Sequence, residues 1–152
     1  MKSWLLLPLR ALRGVGRIPA SDLAILSEAG LFLALARVAV AVVPFRLLVR
    51  RFGRPIEPAH GPDFVPVRIP VSRVRWAVLA VAARVPLSSP CLPQAMAAKL
   101  MLSRRGVPTT IHLGVKNPST GALAAHAWLS AGPIVVTGKA GHRSFTEVAR
   151  FA

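Results

Sequence analysis

The spacing of the apolar positions in this chain changes once, at Gly106. Before that residue the apolar positions recur every three or four residues or form long runs, which is typical of helices. After it they alternate with polar or small residues, and this period of two predicts strands over 107–115, 123–130 and 134–137. The tail through Phe151 is expected to form a last short helix or an edge segment. Helices followed by a meander of strands indicate an α+β fold.

The N-terminal third predicts a long apolar helix and a basic continuation. Ser21 and Asp22 offer N-cap chemistry for a helix through about Val43, with the acid at the positive end of the helix dipole. Pro44 kinks or ends that helix. The continuation carries one basic stripe at four-residue spacing, formed by Arg46, Arg50 and Arg54.

Two further helices are predicted before the strands begin. Ser72 is expected to cap a helix through about Val85. Cys91 opens the next helix, since the proline at position 93 is tolerated in a first turn. Two arginines and Gly106 close it, because cations suit the negative end of a helix and glycine suits its C-cap.

Neither apolar stretch near the N-terminus predicts a membrane span or a signal peptide. The span 30–45 is shorter than the roughly 20 apolar residues that a spanning helix needs, and Arg37 would be costly at its centre. We interpret it as a buried or interfacial helix. The segment 1–10 is apolar for too few residues, is interrupted by Pro8 and has no small-residue cleavage site after it.

The chain of 152 residues is long enough for one domain with an appendage. We expect an N-terminal helical segment at 1–55, a linker at 56–70 and a catalytic domain at 71–152. The linker is predicted from its high proline content and its few periodic apolar residues. The N-terminal segment is expected to dock a partner or to contact a membrane surface.

The charge of the chain is strongly basic. Lys and Arg total 20 against five acids, a net charge of +15 that favours an acidic partner, a nucleic acid or an anionic membrane surface. A disordered basic tail is excluded because 53% of the residues are hydrophobic. Nucleic acid is disfavoured, since no RNA-binding motif is present and aromatic residues make up only 6%.

The candidate chemistry rests on the only cysteine, Cys91, and on His126 in the second predicted strand. Together they form the minimum set for a cysteine nucleophile. At a helix start, free N–H groups and the dipole favour a thiolate and can hold an oxyanion. His126 and Trp128 share one strand face, so the imidazole lies beside an indole in a cleft expected to face the Cys91 helix. The alternatives are that Cys91 is a small buried hydrophobe and that His126 lies on a solvated face.

A third catalytic group is not obvious. The only acid after His126 is Glu147, far along in the tail, and the nearest polar side chain is Thr137 on the adjacent strand. A backbone carbonyl is the other group that can fix the imidazole tautomer. His112 on a neighbouring strand is a weaker candidate for a substrate contact. One cysteine excludes an intrachain disulfide and a multi-cysteine zinc site, and no two histidines have metal-ligand spacing. We therefore expect no metal, no cofactor and a reducing, cytoplasmic setting.

These motifs resemble one family of enzymes. Residues 90–95 (PCLPQA), 102–108 (LSRRGVP), 113–115 and 126–129 (HAWL) look like the leader peptidase of lasso peptide biosynthesis, a transglutaminase-like cysteine protease. More narrowly, the chain resembles the stand-alone peptidase half of a split B protein. The helix at 28–46 is also similar to the opening segment of that family, so the resemblance covers nearly the whole chain.

The resemblance implies a transglutaminase-like and papain-like core, with a cysteine-bearing helix packed on an antiparallel sheet that bears the histidine. It implies that Cys91 is the nucleophile and His126 the general base and acid. The family commonly places an aspartate on the following strand, where this chain has Thr137 and Gly138. We therefore expect a Cys–His dyad aided by Thr137 or by a carbonyl.

The implied function is removal of the leader peptide from a ribosomally made precursor. Cleavage frees the N-terminal amine of the core for a separate ATP-dependent cyclase, which forms the macrolactam. The implied partners are the precursor, a small leader-recognition protein and the cyclase. Two alternatives remain open: an enzyme that passes the acyl group to an amine, and a non-catalytic basic protein that binds a membrane or a partner.

Overall fold

The computed structural model describes residues 19–56, 68–84, 91–116, 121 and 123–152. The helices are α1 (Ala20–Val42), α2 (Phe45–Val49), α3 (Arg68–Ala82) and α4 (Cys91–Ser103). The strands are β1 (Thr110–Lys116), β2 (Ala124–Ala131), β3 (Ile134–Thr137) and β4 (Thr146–Phe151), with a 3-10 turn at His142–Ser144. Helices precede a four-stranded antiparallel sheet, which confirms the α+β prediction.

Two helix starts differ from the sequence prediction. The α1 helix begins after Pro19, and Asp22 pairs with Arg73 of α3 at 2.7 Å. The α3 helix begins at Arg68, because Pro70 lies in the first turn, where a missing N–H costs nothing. The hydroxyl of Ser72 donates to a carbonyl three residues earlier instead of capping the helix. The last three residues of the predicted linker are thus helical, and the rest of it, from 57 to 67, lies outside the described residues.

The α4 helix is the centre of the core. Its residues Ala95, Ala97, Ala98, Met101 and Leu102 are fully buried. Helices α1 and α3 pack on one side of it, and strands β1, β2 and β3 pack on the other. This burial fixes the start of α4 against the sheet, which is where the candidate nucleophile lies.

The α1 helix packs one side into this core and leaves the other side exposed. Its buried stripe consists of Ile25, Ala29, Leu33 and Ala36. Glu28 adds an ion pair to Arg105 just after α4, at 2.6 Å. Exposed apolar side chains cover the outer face: Leu23, Leu31, Leu35, Val38 and Val42. By length and composition alone α1 is also apolar enough to cross a membrane.

The sheet has the strand order β3-β2-β1-β4. In the register of β1 with β2, His112 lies opposite Trp128 and Gly114 lies opposite His126. Side chains alternate between the faces of a strand, so Ala127 and Leu129 face away from His126 and Trp128. The tail, for which a last short helix or an edge segment was predicted, forms β4 at the edge of the sheet.

Candidate active site

Cys91 is the first residue of α4, as predicted, and its sulfur lies against the edge of β2. The backbone N–H of Ala127 donates to Cys91 Sγ at 3.2 Å. Strand β3 ends at Thr137, which pairs with Leu129, so β3 no longer covers the edge of β2 at Ala127. The thiol occupies this uncovered edge. The N–H contact fixes the position of the sulfur at the start of α4.

The sulfur is thereby held next to His126. The nitrogen that contacts Sγ belongs to Ala127 and is bonded to the carbonyl carbon of His126. Cys91 and His126 also line the same cavity, of about 580 Å³, together with Gln94. The structure therefore brings the two predicted catalytic residues together at the junction of α4 and β2.

The imidazole of His126 is oriented by a backbone carbonyl. Its Nε2 lies 2.8 Å from the carbonyl oxygen of Gly138. A carbonyl only accepts, so Nε2 carries the hydrogen and Nδ1 is left to exchange a proton. The ring also packs against Phe145, at a centroid distance of 5.0 Å, and against Trp128, at 6.0 Å.

Only glycine fits at position 138. Its φ is +71°, and a Cβ there would lie 2.6 Å from the carbonyl oxygen of Ala127 and 2.7 Å from Cβ of Trp128. The residue therefore needs both a left-handed backbone and a close approach to β2. Sequence reasoning did not identify Gly138 as the orienting residue. The one available signal was a glycine directly after a short strand.

Thr137 was one of two predicted orienting groups for His126, the other being a backbone carbonyl, and it is a carbonyl that contacts the imidazole. Thr137 is 1% exposed, and its Oγ1 is buried without a hydrogen-bond partner among the described residues. The chain turns at Gly138, so the carbonyl of that residue, and not the hydroxyl before it, meets the imidazole.

The substitution Thr137→Val should therefore leave activity intact. It replaces an unsatisfied buried hydroxyl with a methyl group of the same shape, and we expect the free energy of unfolding to rise by about 1 kcal/mol. Denaturant unfolding measures this change, and the rate of substrate cleavage should stay within about twofold of the parent, since no hydrogen bond to His126 is lost. A tenfold loss of activity in a folded Thr137→Val protein would show that the Thr137 hydroxyl orients the His126 imidazole.

A second imidazole supports the site from the far side of Trp128. The ring of His112 stacks on the indole at 5.3 Å, with 1° between the planes. His112 Nε2 lies 2.8 Å from Ser130 Oγ, and its Nδ1 lies 3.3 Å from the carboxylate of Glu147. Burial lowers the pKa of His112, although the Glu147 contact acts in the opposite direction. The stacked ring of His112 holds the indole in place.

The carboxylate of Glu147 contacts two side chains that can carry a positive charge, Arg150 and His112. Burial acts to raise its pKa, but the contacts with Arg150 and His112 outweigh burial and lower it. Glu147 lies opposite Gly114 in β1, and β1 separates it from His126 on β2. Glu147, the only acid after His126 in the sequence, thus contacts His112, whereas the partner of His126 is the neutral carbonyl of Gly138.

No group of three His, Cys, Asp or Glu side chains within the described residues is arranged to hold a metal ion. What the arrangement offers is a thiol, an imidazole with one nitrogen oriented by a carbonyl, and the N–H groups of a helix start. These are the parts needed to attack a carbonyl carbon and to carry its oxyanion.

The family comparison covers this site completely. The family model described as transglutaminase-like superfamily matches residues 39–150, which include Cys91, His126, Gly138, strands β1 to β3 and β4 up to its last residue. Most of α1 precedes the matched region. No curated protein and no solved structure matches the chain at a significant level.

Proposed function

Since the chain belongs to the transglutaminase-like superfamily, we propose that it is a cysteine peptidase that removes the leader from a lasso peptide precursor. The observation that carries the proposal is the placement of Cys91 Sγ at 3.2 Å from the N–H of the residue that follows His126. The sequence resemblance supplies the substrate class, and the geometry supports the chemistry. A separate leader-recognition protein and an ATP-dependent cyclase are the proposed partners.

The first half of the proposed reaction forms a thioester. His126 Nδ1 takes the thiol proton, and the Cys91 thiolate attacks the carbonyl carbon of the scissile peptide bond. N–H groups at the start of α4 stabilise the oxyanion. The C–N bond breaks as the imidazolium returns its proton to the leaving amine, which is the new N-terminus of the core peptide.

The second half releases the leader. His126 deprotonates a water molecule, which attacks the thioester carbon, and the sulfur leaves and recovers its proton. A neutral carbonyl at Nε2 stabilises the imidazolium less than a carboxylate does. The proposed reaction therefore depends more on the position of the His126 ring than on charge stabilisation of that ring. The Gly138 carbonyl supplies that position by fixing the tautomer and the ring plane.

Reconstitution tests this proposal directly. The full chain, a lasso precursor and its leader-recognition protein are incubated without the cyclase, and mass spectrometry follows the products. We expect free leader and a core with an unmodified N-terminal amine, with catalytic rather than stoichiometric turnover. An intact precursor under these conditions, with a folded enzyme and a bound partner, would contradict the proposal.

The same assay separates hydrolysis from acyl transfer. Added methylamine competes with water for the thioester, and the mass of the released leader reports which one reacted. We expect the free acid to dominate. A leader that carries mainly methylamide would identify the chain as an acyltransferase that uses the same two residues.

A further inference from the structure

An apolar groove shares Cys91 and His126 with the larger cavity and has no other lining residue in common with it. Its volume is about 250 Å³, and Cys91 and His126 form part of its lining. The rest of its lining contains no charged side chain; it is formed by Phe45, Leu92, Leu113, Gly114, Val115, Ala125, Ala127 and Val148. The groove is therefore continuous with the candidate active site.

The two sides of the thiol differ in chemistry. The larger cavity contains Arg75 and Lys139, and Arg75 is fixed there by donating to the carbonyl of Val135 at 3.1 Å. A peptide that crosses Cys91 therefore meets a basic surface on one side and a purely apolar one on the other. Desolvating a charged or strongly polar side chain in the apolar groove would cost free energy, whereas an aliphatic or aromatic one gains it.

The groove is large enough for such a side chain. An apolar cavity of roughly 150 Å³ takes up benzene, so about 250 Å³ accommodates a leucine or phenylalanine side chain. Two of its lining residues, Phe45 and Val148, are 54% and 59% exposed, so apolar surface remains uncovered here. Exposed apolar surface that borders a nucleophile marks a binding subsite.

We infer that this groove binds a large apolar side chain of the peptide substrate, at a residue adjacent to the scissile bond. The inference rests on the proposed peptidase function and adds a specificity to it. It also gives the α2 segment a role, because Phe45 brings the N-terminal part of the chain into the substrate site.

Alkylation of Cys91 by small chloroacetamides tests the groove without a peptide substrate. N-phenethyl chloroacetamide carries an aromatic group of the right size, and N-methyl chloroacetamide carries almost none. After correction for their rates with glutathione, we expect the phenethyl reagent to react at least about tenfold faster, from the burial of its ring. Equal corrected rates would overturn the inference.

Two matched variants test whether the preference for the phenethyl reagent arises in this groove. Val148→Glu places a charge in the lining of the groove, and Ile69→Glu places one on an α3 side chain that is 71% exposed and does not line the groove. We expect the first variant to remove most of the phenethyl preference and the second to keep it. A preference that survives Val148→Glu would show that the ring binds elsewhere and would overturn the inference.

The rate of leader removal by the same variants tests whether the groove binds the peptide substrate. Val148→Glu should slow cleavage by about tenfold or more, and Ile69→Glu should not. Loss of the phenethyl preference with an unchanged cleavage rate would overturn the peptide subsite and leave the peptidase proposal standing. If the parent chain prefers the phenethyl reagent but cleaves no precursor, the peptidase proposal fails, and the peptide subsite that rests on it fails as well.

Discussion

Replacing Cys91 by serine should slow leader removal by a factor on the order of 10⁴ or more, as loss of a nucleophile does in other hydrolases of this kind. A hydroxyl can still accept the N–H of Ala127, so the start of α4 keeps its contact with β2. The hydroxyl proton is far harder to remove than that of a thiol. The neutral carbonyl at His126 Nε2 gives little help, because it cannot balance an imidazolium as a carboxylate would.

The measurement is the single-turnover rate of leader release, with circular dichroism and thermal unfolding as tests of the fold. Ser103→Ala, at the other end of α4, is the matched control, since Ser103 is exposed and far along the helix from the thiol. We expect parent-like rates for the control. Leader release by Cys91→Ser at the parent rate would mean that the cysteine is not the nucleophile, and the mechanism would have to be abandoned.

The position of Cys91 was predictable because its causes are local. A proline two residues after Cys91, followed by a run of helix formers, is enough to place the thiol at a helix start. His126 was placed on a strand by the alternation around it, for an equally local reason. The fold class followed from the order of these elements and needed no long-range information.

The orienting group of His126 was not predictable in the same way. It is a backbone oxygen, so the sequence offered a carbonyl or Thr137 as alternatives and could not say which residue would supply the carbonyl. Its position depends on where β3 stops against β2, and the pairing of these strands shifts between Leu129 and Ser130. A change of one residue in that register would turn a different group toward the imidazole.

The apolar groove could not be predicted from the sequence, for a related reason. Phe45 comes from the N-terminal segment and Val148 from the last strand, and only the folded chain brings them to Cys91. The division into an N-terminal segment and a catalytic domain stays a prediction. The packing of α1 on α3 and α4 shows, however, that most of the described part of that segment contacts the helices that support the site.

The second large effect is expected for Gly138→Ala. At φ +71° the new Cβ would lie 2.6 Å from the carbonyl oxygen of Ala127, so the backbone at 138 must move away from β2. That movement takes the Gly138 carbonyl away from His126 Nε2, and the ring loses its fixed orientation. A misplacement of about 1 Å costs roughly 10²-fold in rate, which is the loss of leader removal that we expect. The pH dependence of Cys91 alkylation should change as well, since the imidazole tautomer is no longer fixed.

Gly106→Ala is the control for backbone strain in this experiment. Gly106 has nearly the same φ, +67°, but a Cβ there would meet no atom within 4 Å. Both variants carry the left-handed penalty of about 1–2 kcal/mol in the free energy of unfolding, whereas only Gly138→Ala disturbs His126. We therefore expect Gly106→Ala to be less stable than the parent, yet to keep its leader removal rate and the parental pH dependence of alkylation. If Gly138→Ala, once shown to be folded, matched Gly106→Ala in both activity measurements, the carbonyl would not be the group that positions the catalytic imidazole.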